Sequence, residues 1–137
     1  MNRRKAREYA LQQLFQSEFS LEGEKLPGPY NDVRPAEEVG KGEKGFGDEL
    51  VSGTLNHVEE IDNVIRKTAD NWDIGRMAVV DRNILRCAIF ELIYRKDIPA
   101  AVTINEALEI AKKYSSADSV SFINGLLDKI AHTSEKI

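Results

Sequence analysis

The chain has a single cysteine, Cys87, and two histidines, His57 and His132, in 137 residues. One cysteine excludes an intrachain disulfide and a cysteine-based zinc site, and it fits a reducing cytoplasm. The histidines are too far apart in sequence to form a helical i,i+4 pair, and neither belongs to the clustered acids of a typical metal site. A Walker loop and a dinucleotide fingerprint are both missing. The nearest candidate, GKGEKGFG, has the wrong spacing and follows no strand. Cys87 lies inside ILRCAIFELI, where a buried structural thiol is expected. Glu106, Glu109 and Asp128 read as solvated helix faces and caps. No catalytic residue, metal or cofactor is expected.

Long apolar runs are lacking too. The basic start is interrupted by Gln12, Gln13, Gln16 and Glu18, so it is neither a signal peptide nor a membrane span. Proline and glycine are sparse except at residues 22–47, which hold three of the four prolines and six of the nine glycines. That stretch reads as a long loop, expected to be mobile, with one helical turn at residues 35–39. With 42% apolar and 31% charged residues, the chain is expected to form one domain with a real core.

What is present is helical periodicity. Residues 3–21 place Ala10, Leu11, Leu14 and Phe15 on one face, and Lys5, Tyr9, Gln12 and Gln16 on another. Residues 48–67 carry the stripe Leu50, Val51, Thr54, Leu55, Val58, Ile61 and Ile65. The bend NWDIGRM follows, with Trp72 and Ile74 as core plugs. Residues 79–97 form a strongly amphipathic helix, which must stop before Pro99 because proline disfavours helix at Ile98. TINEALEIAKKY opens with a capping box, Thr103 and Glu106. The last helix starts near Asp118 or Ser119, either of which suits its N-cap. Gly125 in its interior implies close approach of a neighbouring helix. No stretch alternates as a strand does, so the fold class is all-α.

One further shortage concerns acids at the start. Arg3, Arg4, Lys5 and Arg7 precede the first acid, Glu8, so a chain of net charge −4 carries −8 beyond residue 7. These cations lead into a helix with Tyr9, Gln12 and Gln16 beside them. Cations pair phosphates, rings stack bases and amides read base edges, which suits single-stranded RNA. Four phosphate contacts correspond to a salt slope of roughly −3. The acidic body would repel RNA elsewhere, so a partner that completes the site is expected. A solubilising tail on a helical protein–protein adaptor, without direct RNA binding, is the competing reading.

RRKAREYALQQLFQSEFS resembles the arginine-rich first helix of the NusB family of transcription antitermination factors. DRNILRCAIFELIYRKDIPAAVTINEALEIAKKYSSADSVSFINGLLDKIA resembles that family's C-terminal half, most closely in VTINEALEIAKKY and SVSFINGLLDKIA. The resemblance implies a compact bundle of about six or seven helices in two roughly perpendicular antiparallel sub-bundles. It implies no enzymatic activity. The implied partners are NusE, a small-subunit ribosomal protein, and boxA-type RNA of nascent transcripts, notably from ribosomal RNA operons. They act within the RNA polymerase antitermination complex in the cytoplasm, and some members form homodimers.

By position, the resemblance implies an RNA surface of Arg3, Arg4, Lys5, Arg7, Gln12, Phe15, Asp118, Ser119 and Phe122. Phe15 stands where many members have tyrosine. The implied partner face comprises Asp81, Arg82, Glu91, Tyr94, Arg95, Ile98, Pro99, Ala101 and Val102. Phe15 and Phe122 can equally be core residues, Asp118 only a cap, and Tyr94 and Arg95 simple helix-end residues.

Overall fold

Six α-helices and one 3-10 turn make up the computed structural model, which describes residues 2–18, 41–69 and 73–133. In order they are α1 (Arg3–Glu18), α2 (Lys41–Asn56), α3 (Val58–Thr68), the turn Ile74–Arg76, α4 (Val79–Tyr94), α5 (Ala100–Tyr114) and α6 (Ala117–Thr133). No strand occurs among the described residues, as the all-α reading expects. Trp72, the stretch 35–39 expected to form a helical turn and the rest of residues 19–40 lie outside the described residues.

Helix α4 is the axis of the packing and touches each of the other five α-helices. Ile84, Leu85, Cys87, Ala88, Ile89 and Phe90 are all buried, because a helix surrounded on most sides needs apolar residues nearly all round. The expected stripes of α1, α3 and α6 supply its neighbours: Ala10, Leu11, Leu14, Ile61, Ile65, Ile123, Leu127 and Ile130. Leu55 departs from its stripe and is exposed.

Five local expectations change. The loop reading of residues 41–47 is wrong: KGEKGFG is the start of α2, which continues to Asn56. Gly47 lets α2 lie directly on α1. A Cβ at Gly47 would come within 2.6 Å of the Tyr9 ring and 3.0 Å of the Ala6 carbonyl oxygen. The single helix expected over residues 48–67 is two helices, broken at His57, whose ring stacks on Tyr94 at 4.0 Å.

Helix α5 opens at Ala100, three residues before the expected capping box. Pro99, with φ −61° and ψ 143°, takes the N-cap position and accepts from the Thr103 N–H. Thr103 and Glu106 are thereby freed for tertiary bonds. On α6 the cap is Ser116, whose Oγ accepts from the Ser119 N–H at 3.1 Å, instead of Asp118 or Ser119. Gly125 meets no neighbouring helix, since a Cβ there would find nothing within 4 Å. The close approach occurs at Gly53, where a Cβ would fall 2.1 Å from the Phe90 ring.

Candidate nucleic-acid interface

The first turn of α1 is capped by Asn2, whose Oδ1 accepts from the Lys5 N–H at 3.1 Å. From this turn the four cations go to four different environments. Lys5 is exposed and forms no side-chain hydrogen bond or ion pair among the described residues. Arg3 is exposed, with its guanidinium 4.3 Å from the centroid of the Phe46 ring. Arg4 makes a bidentate pair with Glu106, Nε donating at 2.7 Å and Nη2 at 2.9 Å. Its side chain stays 45% exposed, and three of its five N–H donors remain available.

Arg7 is different, and its expected place on the RNA surface is corrected. It is 6% exposed and donates through Nε and Nη2 to the two Glu91 oxygens, each at 2.8 Å. Glu91 is 1% exposed and also accepts from Thr103 Oγ1 at 2.8 Å. Burial opposes the Arg7 charge, but the hydrogen bonds and attraction from Glu91 more than offset it and hold its pKa above the ordinary value. The same geometry removes Glu91 from the expected partner face. Helical spacing alone does not distinguish Arg7 from Arg3 and Arg4, because its buried carboxylate partner lies 84 positions away.

The aromatic expectations also shift. Tyr9 is buried beneath α2, its hydroxyl donating to Asp48 at 3.0 Å, instead of lying open beside the cations. Phe15 is 6% exposed and part of the core, so it presents no open base platform. Phe122 is half-buried and packs against that core. Gln12 is half-buried, with its Oε1 enclosed and without a hydrogen-bond partner among the described residues.

At the other end of α1, Asp81 binds the α5–α6 junction to the start of α4. It accepts from Ser115 Oγ and Ser119 Oγ, both at 2.6 Å. Asp118 is exposed beside it in the first turn of α6. Arg82 is half-buried; Nη1 donates to the Ile74 carbonyl at 3.1 Å and Nη2 to Glu18 at 2.6 Å. The two groups of candidates therefore sit near opposite ends of α1. Twelve helical residues separate Arg3 from Phe15, about 18 Å along the axis.

The turn between α4 and α5 borders the cationic end. Arg3, Arg4, Arg7, Val102 and Glu106 line one open groove. Pro99, Ala101 and Val102 are exposed, whereas Ile98 is buried and leaves the expected partner face. Tyr94 is exposed against His57. Arg95 pairs with Asp97 at 3.0 Å and with Glu49 at 3.1 Å, and its guanidinium lies 5.3 Å from the Phe46 ring. Phe46 itself escaped the sequence reading, because the glycines around it mask a helix.

The NusB family profile matches residues 4–132. The chain belongs to the NusB family. Among curated relatives, the transcription antitermination protein NusB of Thermodesulfovibrio yellowstonii is 49% identical over 140 residues, covering 96% of this chain and 92% of the relative. Among solved structures, T. maritima NusB superimposes with a TM-score of 0.81 at 39% identity, covering 96% of this chain and 92% of that one. A complex of the antitermination factors NusB and NusE with double-stranded RNA contains a chain with a TM-score of 0.77 at 30% identity, with 96% of both chains covered. The NusB family assignment thus extends over both ends of α1 and the α4–α5 turn. No helix among the described residues is long and apolar enough to cross a membrane.

Proposed function

We propose that this chain is a transcription antitermination factor that pairs with NusE and binds boxA-type single-stranded RNA. It does so within the antitermination complex of RNA polymerase in the cytoplasm, notably on ribosomal RNA operons. The observation that carries this reading is the adjacency of two unlike surfaces. Cations from the start of α1 and the exposed apolar turn at residues 99–102 share one groove through Arg3, Arg4 and Val102. Phosphate contacts by cations carry no sequence information, and an exposed apolar turn fits a protein partner. Family membership and a structural neighbour that holds NusB, NusE and RNA support the same pairing.

In this reading Arg3, Arg4 and Lys5 contact phosphate. Gln12, Asp118, Ser119 and Phe122 border the RNA farther along α1, and Asp81 orients Ser119. Tyr94, Arg95, Pro99, Ala101 and Val102 belong to the NusE side, with Arg82 a positioning residue at the far end. The protein supplies no catalytic step.

RNA binding by the chain alone is expected to be weak, and binding by the NusE complex much tighter, because a small cationic edge faces an acidic body. Filter binding of boxA-like RNA, single-stranded and duplex, with and without NusE, tests this. Equal affinities with and without NusE would refute cooperative assembly. No RNA binding in either case would favour the protein–protein adaptor, and preference for the duplex would replace the single-stranded ligand.

A further inference from the structure

The start of α2 forms a platform under the arginine-rich start of α1. The Asn2 N–H donates to Glu43 at 2.9 Å, and Gly47 seats the α2 backbone on Tyr9 and Ala6. Between these two contacts lies Phe46, 5% exposed. Three guanidiniums surround its ring, with Arg3 at 4.3 Å, Arg95 at 5.3 Å and Arg7 at 5.4 Å from the centroid. All three lie within the range of cation–π attraction.

Three cations around one ring repel each other unless carboxylates offset them. Arg7 is matched by Glu91, and Arg95 by Asp97 and Glu49. Arg3 makes no ion pair among the described residues and reaches Asp97 only through longer-range attraction, so it is the least tightly paired of the three. Stacking uses the face of a guanidinium, whereas phosphate is bound by its N–H edges. The ring can therefore fix Arg3 without occupying the donors that phosphate needs.

We propose that Phe46 is a positioning residue for nucleic-acid recognition, holding Arg3 by its face with the N–H edges left for phosphate. This rests on the RNA-binding reading above. It adds α2, through a residue that touches no RNA itself, to the elements that set the affinity.

A double-mutant cycle on the NusE-bound chain tests the proposal, with a single-stranded boxA-type RNA oligonucleotide as probe. Phe46→Leu is expected to weaken binding roughly 3- to 10-fold, the scale of one cation–π contact. Phe46→Trp, which keeps a ring, stays within about twofold of wild type. Because Phe46 acts through Arg3, Phe46→Leu added to Arg3→Gln weakens binding no further. If Phe46→Leu is without effect, or costs as much in the Arg3→Gln chain as in wild type, the proposal is overturned.

The wild-type protein offers a check that needs no substitution. Ring current from Phe46 should move the Arg3 side-chain proton resonances upfield, and resonances at random-coil positions would also overturn the proposal. A wild-type complex that fails to bind the RNA removes the RNA reading and this proposal together. Binding with an additive cycle removes only the proposal.

Discussion

Arg7 shows how far position in a motif can mislead about a single residue. It belongs by sequence to a run of four cations, yet it contributes its charge to the interior. Its pair with Glu91 is buried on both sides, with side-chain exposures of 6% and 2%, and Thr103 fills part of the remaining acceptor capacity. Removing one partner of such a pair strands the other charge away from water, at a cost of about 3–5 kcal/mol. Glu91→Ala is therefore expected to lower the thermal midpoint by roughly 10 °C, read by circular dichroism or calorimetry. A shift as small as that of an exposed ion pair, worth about 1 kcal/mol or less, would show that Arg7 is not held in the interior. Cys87 is also an interior group, for burial pushes its thiol up to about 12, which leaves it inert as a nucleophile.

At the scale of elements, the boundaries make separate predictions for the last helix. Ser116 caps α6 through the Ser119 N–H, so Ser116→Ala should cost about 1 kcal/mol in denaturant unfolding. Gly125 is exposed within α6 and crowded by nothing, so Gly125→Ala should stabilise by about 0.5–1 kcal/mol. Loss of stability at Gly125→Ala would mean that a neighbour approaches there after all. Most of the helices were legible in the sequence, because the apolar stripes of α1, α4, α5 and α6 repeat at helical spacing and Pro99 separates α4 from α5. The early turns of α2 were not, since KGEKGFG has the composition of a loop and is held helical by contact with α1. The capping box at Thr103 failed for a similar reason. Both of its side chains make stronger long-range bonds, Thr103 to Glu91 and Glu106 to Arg4. Within the candidate site, the exposed cations and the α4–α5 turn follow from local pattern. Phe15 is buried with the apolar face that helical spacing gives it, whereas the burial of Arg7, Tyr9 and Glu91 depends on residues from other helices, which one-helix spacing does not reveal.

For the whole molecule, the surface pairs that steady the cationic end carry a pH signature. The hydrogen bonds from Arg4 hold the Glu106 carboxyl below its ordinary range, and those from Arg95 do the same for Asp97. A carboxylate with a depressed folded pKa adds stability above its unfolded pKa, about 4, and loses it as pH falls through the folded value. Thermal midpoints followed from neutral pH into acid should therefore fall below about pH 4. Glu106→Gln should show a shallower acid limb than wild type. Parallel curves for the two proteins would mean that the Arg4–Glu106 pair does not persist in solution.

The cationic edge consists of Arg3, Arg4 and Lys5, with Arg7 retained by the fold. The salt dependence of RNA affinity tests it most directly, comparing the NusE-bound wild type with Arg3→Gln/Arg4→Gln/Lys5→Gln. Three phosphate contacts on a single strand correspond to a slope of about −2 in log affinity against log salt. The triple variant is expected to lose about that increment of slope along with affinity, while its fold is retained. An unchanged slope and affinity in the triple variant would exclude these cations from phosphate binding and leave the basic start as a solubilising end.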